Sequence, residues 1–327
     1  MALFFLYVGI EIKKEMISGE LDTKHKRVLP VLAAFAGVFT PAIVYYFAAG
    51  YMPEFRHGWG IPTATDIAFA IGVITMLGNM VSPAMKAFLA ALAVIDDLIA
   101  IVVIALFYGA GVNFMDLIAA AAVTGLLVYT NKQGYLRPLP YCVLGLVLWY
   151  LVLKSGVHAT IAGVVLAMTI PFKGEVLDKV VYPMEEWAHA LKNWVNFFII
   201  PLFSFLNAGV SFADFSMENL FHPVIIGVSL GLILGKQLGI FSAVYILVQS
   251  KAIKMPTNTT WPEIYGTAIL CGIGFTMSLF VATLAFPPGI TQEMAKVGIF
   301  IGSIVAGLLG AVVLTLAYQI RKMRGKI

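Results

Sequence analysis

Charge is what this sequence has least of. Lys, Arg, Asp and Glu make up 12% of its 327 residues, against 61% hydrophobic residues and a mean hydropathy of +0.94. A soluble domain carries about 25% charged residues, so these side chains could not cover a water-facing surface. The longest weakly apolar stretch, 172–192, is too short to hold a core of its own, which excludes a separate soluble domain. Cysteine is nearly absent. Cys142 and Cys271 both lie in apolar segments without metal-ligand spacing, so no disulfide framework follows. Basic runs suited to nucleic acid are lacking, and the net charge is only +4. The alternating strand-length segments of an outer-membrane barrel are missing as well.

What is present is a succession of apolar runs, each near the length of about 20 residues that spans a bilayer. They predict about eleven crossings, over 1–13, 28–49, 61–78, 84–108, 114–130, 138–153, 156–171, 193–213, 221–249, 262–286 and 295–320. The chain therefore reads as an all-α polytopic membrane protein, one integral domain over 1–327. If crossings alternate, Arg56, Lys154 and Lys296 fall on one side, Lys236 lies inside a span, and every other Lys and Arg falls on the opposite side. The basic side is cytoplasmic, so the C-terminus is expected inside. The run before Glu11 amounts to about half a span, with no basic n-region or small-residue cleavage site. It is expected to be the second half of a helix whose beginning is missing.

Within the spans ionisable groups are few. Each carries a burial cost of roughly 2.5–3.5 kcal/mol or more, which makes it a functional candidate. Asp96 and Asp97 lie in "LAVIDDLIAIVVIAL", with no other Lys, Arg, Asp or Glu between Lys86 and Asp116. They sit about 100° apart on a helix, so one can face a cavity while its neighbour faces another helix. Two carboxylates buried side by side repel and lose hydration. Such a pair can hold protons near neutral pH and release them to a cation. Lys236, in "GLILGKQLGIF", is the basic residue available to pair with one of them. His158, in "KSGVHATIAG", is either a proton-handling group or a histidine hydrogen-bonded between helices.

Two spans carry interruptions. Pro62 and the small residues of "GIPTATD" favour irregular backbone at Thr65 and Asp66, and Gly272 and Gly274 weaken the helix in "LCGIGFTMSLF". Broken spans in separate halves of a transporter are the best sequence pointer to its binding site. Each lies between two other spans, predicting inverted three-helix repeats over about 28–108 and 221–320, with the two interrupted helices crossing at the midplane. Gly227, Gly231, Gly235 and Gly239 form a ridge of small residues around Lys236, expected to bring its helix close against that of Asp96 and Asp97.

Together "VGIEIKKEM", "PTATDIAFAIGV", "LAVIDDLIAIVVIALFY", "LKSGVHATIAGV", "PLFSFLNAGV", "GKQLGI" and "LCGIGFTMSLF" resemble the bacterial Na+/H+ antiporters of the NhaA type, in the family's order along the whole chain. That family is itself a known case of inverted repeats, so the repeat reading is not independent of the resemblance. The resemblance implies a multi-pass protein of the bacterial inner membrane that serves pH homeostasis. It would expel Na+ or Li+ in exchange for protons, electrogenically, with two protons entering per cation and no cofactor. Asp97 would be the principal cation ligand, and Asp96 its titrating neighbour, salt-bridged to Lys236. Thr65 and Asp66 would lie at the helix crossing, opposite Gly272 to Phe275, with Asp66 balancing the half-helix dipoles. Glu11, Lys14, Glu15 and His158 would belong to the pH response.

The sequence departs from the family in two places. The family's opening helix and the extracellular hairpin used in homodimer contact have no counterpart here. Its cytoplasmic "LEHxLHPW" reads "WAHALKNW", keeping His189 for the pH response but placing Ala188 at the acidic position and Lys192 at the second histidine. Glu185 or Glu186 is left as the substitute acid. An intramembrane aspartyl protease is excluded, because "VIDD" lies in one helix and "GIGF" carries no Asp, and nothing else marks an enzyme. A cation channel and a sodium-coupled symporter remain as alternatives. A channel would favour a ring of weak sites, and a symporter would want more polar side chains than these spans supply.

Overall fold

The computed structural model describes residues 1–18, 24–109, 111, 113–176, 179–210, 217–253, 255–256 and 259–323. In chain order the helices are α1 Ala2–Ser18, α2 Lys24–Tyr45, α3 Ile67–Leu77, α4 Pro83–Phe107, α5 Phe114–Lys132, α6 Pro138–Lys154 and α7 Thr160–Thr169. A short ribbon follows, β1 Gly174–Val176 paired antiparallel with β2 Lys179–Val181. Then come α8 Pro183–Trp194, α9 Ile200–Asn207, α10 Pro223–Leu230, α11 Lys236–Gln249, α12 Trp261–Leu270, α13 Phe275–Ala285 and α14 Ile290–Met323.

The sequence marks many of these boundaries. Proline opens α6, α8, α10 and α12, where its missing N–H is no loss. The Asn113 side chain accepts from Met115 N at 3.0 Å to cap α5, which carries Asp116 in its first turn and Lys132 in its last. At the far end of α3 the chain turns through Gly78 at φ 58°, and Lys86 Nζ donates to the Gly78 carbonyl at 2.8 Å.

Six stretches among the described residues are long and apolar enough to cross a membrane: Val28–Gly50, Arg56–Met80, Pro83–Phe107, Phe114–Lys132, Pro223–Gln249 and Ile290–Met323. A seventh is the pair α12 and α13, bent by 43° at its break. Shorter helices occupy the other four predicted runs: α1, α6, α7 and, for 193–213, the end of α8 with α9. Large apolar side chains such as Phe39, Phe47, Met76, Leu106, Ile118, Phe205 and Leu308 point outward. An apolar exterior over apolar helices suits lipid rather than water. The architecture is all-α and polytopic.

The chain forms two units. One comprises Met1–Asp22 and Ile101–Phe203, where α1 lies along α7 and Leu6, Ile10, Leu127, Tyr141, Leu166 and Met184 share a core. The other comprises Thr23–Ala100 and Ser204–Ile327, and holds α2, α3, most of α4 and α10 to α14. In that second unit Glu263, near the start of α12, is buried. It accepts from the Ser82 N–H just before α4 at 2.7 Å and pairs with Arg321 near the end of α14 at 3.3 Å. Three helix ends are thereby tied to one carboxylate.

Candidate cation site

α4 carries Asp96 and Asp97 near its middle, both buried to within 2% exposure. Lys236 is wholly buried and is the first residue of α11, directly after a π-helical turn over Gly231–Gly235. Such turns are frequent at functional sites because they re-aim the side chains that follow. Lys236 Nζ donates to Asp96 Oδ2 at 2.6 Å. The other Asp96 oxygen, Oδ1, and Asp97 Oδ2 are buried with no hydrogen-bond partner among the described residues. Asp97 lies within electrostatic reach of Asp96, Asp66 and Lys236. Lys236 therefore faces both members of the Asp96/Asp97 pair in an apolar interior.

Asp66 is in a different position. Backbone hydrogen bonding breaks over Ala64–Asp66, between a 3-10 stretch Arg56–Thr63 and α3. Asp66 Oδ1 caps α3 by accepting from Phe69 N at 3.2 Å. Its Oδ2 accepts from Thr276 N at 2.9 Å and from Thr276 Oγ1, at the start of α13. Its own N–H donates to the Ile273 carbonyl at 2.6 Å, and Thr65 Oγ1 donates to the Cys271 carbonyl at 2.8 Å. The two interrupted stretches thus meet at Thr65 and Asp66 on one side and 271–276 on the other. One carboxylate closes two helix N-termini, where the partial positive charge of each dipole is concentrated. Space favours glycine at this meeting. A Cβ on Gly272 would run into the Leu232 carbonyl, and one on Gly274 would press on the Ser278 hydroxyl and Leu232 Cδ2.

One expectation needs correction. The Gly227–Gly239 ridge does not close on α4. A Cβ on Gly235 would lie 2.5 Å from Pro41 Cα, one on Gly231 2.6 Å from Pro62 Cβ, and one on Gly239 would meet the Ala36 carbonyl. The ridge lets α2 and Pro62 approach. Lys236 reaches Asp96 by the length of its own side chain. Small-residue spacing tells where a neighbour comes close, but not which neighbour.

Thr65, Asp66, Asp96, Asp97, Lys236, Gly272 and Gly274 all belong to the second unit. Glu11, Lys14, Glu15, His158 and His189 belong to the first. There Glu11 interacts with Tyr7 one turn earlier, His158 Nδ1 sits 2.9 Å from Thr160 Oγ1, and His189 is exposed on α8. Thr276 and Ser303, which complete the crossing, carry no signal in the sequence. Hydroxyl side chains are ordinary in apolar helices, where they usually bond their own backbone, so nothing in "FTMSLF" or "FIGSIVAG" contrasts with its surroundings.

Comparison with known proteins identifies the family. The family described as Na+/H+ antiporter 1 matches residues 1–314. A Na(+)/H(+) antiporter NhaA of Caulobacter vibrioides is 48% identical over 318 residues, covering 97% of this chain and 77% of that protein. Proteins of the same name from Mesorhizobium japonicum and Pseudomonas putida are 49% and 46% identical, each over 97% of this chain and 81% of their own length. Those relatives are transporters. A match over nearly the whole length, on a chain whose buried charges gather at a helix break, establishes that this protein belongs to the Na+/H+ antiporter 1 family.

Proposed function

We propose that this protein exchanges Na+ for H+ across a bacterial inner membrane, with Asp97 and Asp96 as the groups that hold the ion or the protons. One observation carries the reading: Asp97 Oδ2 and Asp96 Oδ1 are buried oxygens without partners among the described residues, beside a carboxylate already engaged by Lys236. A buried carboxylate without a counter-charge is far from its best free energy. A proton or a small cation relieves that equally in charge, and the two cannot share the same lone pair. Competition of this kind is what couples outward Na+ or Li+ movement to inward proton movement. Lys236 supplies the counter-charge of Asp96 when the site is empty. Asp66, its lone pairs committed to two helix ends, holds the crossing in place rather than binding the ion.

The same reading includes electrogenic exchange, two protons per cation, and a cytoplasmic C-terminus. Regulation by pH is assigned to Glu11, Lys14, Glu15, His158 and His189. Support for these comes from family likeness and from the distribution of Lys and Arg. Purified protein in liposomes tests the central claim. With an imposed pH gradient, Na+ addition is expected to dissipate the gradient, and Asp97→Asn to reduce that response to the level of empty liposomes. Persistent exchange in the Asn variant, or a Na+ current uncoupled from protons, would overturn the assignment.

A further inference from the structure

The N-terminus of α13 lies in the apolar interior, where its first N–H groups have no partners within their own helix. Asp66 Oδ2 takes Thr276 N, but Asp66 must also keep Oδ1 on Phe69 N to cap α3. The two preceding donors go elsewhere. Gly274 N and Phe275 N both donate to Ser303 Oγ, at 3.2 and 3.1 Å. Ser303 is buried on α14, an uninterrupted helix from Ile290 to Met323. Serine within a helix usually bonds back to a carbonyl one turn earlier, as Thr315 of α14 does to Ala311 at 2.8 Å. Ser303 instead gives its oxygen to the neighbouring half-helix.

The element that presents this oxygen is held tightly. Ser229 Oγ of α10 donates to the Gly298 carbonyl at 3.0 Å. A Cβ on Gly302 would lie 2.8 Å from Leu232 Cδ1. α14 is thus seated against α10 and the π turn that leads into Lys236, immediately before Ser303.

We propose that Ser303 is a positioning residue for the exchange. By occupying the Gly274 and Phe275 N–H groups at the head of α13, it leaves the Asp66 carboxylate divided between the two half-helices, at a fixed place in the field felt by Asp97. Without the hydroxyl, Gly274 and Phe275 N–H lose their acceptor, and the carboxylate that already takes the adjoining Thr276 N–H is that of Asp66. That carboxylate is then drawn toward α13 and away from α3. Asp97 interacts with Asp66 through a low-dielectric interior, where a small displacement of a charge changes the energy of its neighbours. The inference rests on the reading of Asp97 as the exchanging group.

The test uses the whole chain in liposomes, with Ser303→Ala, Ser303→Thr and Asp97→Asn compared for thermal midpoint, Na+ dependence and pH profile of exchange. Ser303→Ala is expected to raise the apparent KM for Na+ by about threefold or more and to move the pH profile by about half a unit, as a displaced nearby charge would. Ser303→Thr, which keeps the hydroxyl, is expected to return both toward the parent protein. Unchanged KM and pH profile in Ser303→Ala overturn the proposal, even if the thermal midpoint falls, because a purely structural cap would affect stability alone. If Ser303→Ala does not fold, the same two measurements are made on Ser303→Cys, a weaker acceptor: a raised KM with a moved profile supports the proposal, and unchanged values overturn it. Exchange by Asp97→Asn would instead overturn the underlying assignment. An inert Asp97→Asn with a parent-like Ser303→Ala defeats this inference only.

Discussion

Asp66 and Asp97 are both buried aspartates of the second unit, and their surroundings make them opposites. Asp66 accepts from Phe69 N, Thr276 N and Thr276 Oγ1, so its charge is answered by donors and by two helix ends. Asp97 has an oxygen with no donor among the described residues. Asp96 stands between these cases, with one oxygen on Lys236 and the other without a donor among the described residues. Removing the ammonium should therefore be costly. Lys236→Met is expected to lower unfolding stability by about 3–5 kcal/mol, because it leaves an uncompensated buried carboxylate. Lys236→Met with Asp96→Asn should recover most of that loss, since the charge and its partner go together. Additive losses in denaturant titrations of the two singles and the double would mean that the pair is not coupled.

Among the elements, the broken stretches and the glycine ridge divide the work. The breaks at 64–66 and 271–274 bring helix ends into the interior, and Ser303, Asp66 and Thr65 satisfy the backbone groups exposed there. The ridge running from α10 through the π turn into α11 lets α2 lie close enough that a side chain could not fit. Gly235→Ala, whose Cβ would sit 2.5 Å from Pro41 Cα, is expected to destabilise by about 1–3 kcal/mol through overpacking. Gly125→Ala, with nothing within 4 Å of its Cβ, is expected to stay within about 0.5 kcal/mol of the parent. Equal effects at the two positions, measured by thermal unfolding in detergent, would show that the ridge is not a close contact.

For the whole molecule, the apolar exterior and the scarcity of charge mean that the few Lys and Arg residues decide orientation. With Cys142→Ser removing the exposed thiol, single cysteines placed at Lys251 and at Arg56 should react with a membrane-impermeant maleimide from opposite sides. The Lys251 position is expected to label only from the cytoplasm, and Arg56 only from outside. Labelling of Lys251→Cys in intact cells without permeabilisation would reverse the orientation.

Environment and chemistry were already written in the order of the amino acids. Apolar runs with so little charge demand helices in lipid, and an ionised group there stands out because nothing else solvates it. Asp96, Asp97, Lys236 and Asp66 were legible for that reason, as were the two breaks, where proline and glycine weaken the backbone ladder. The choice of partners came from packing. That Lys236 takes Asp96 and that Asp66 serves two helix ends were expected only through the family resemblance, and these pairings, like the glycines facing α2, depend on which helix lies beside which. Local propensity does not contain that information. Ser303, Thr276 and Glu263 were illegible for the same reason. A hydroxyl in an apolar helix, or a carboxylate at a span's edge, becomes distinctive only when packing brings another helix's unpaired donors to it.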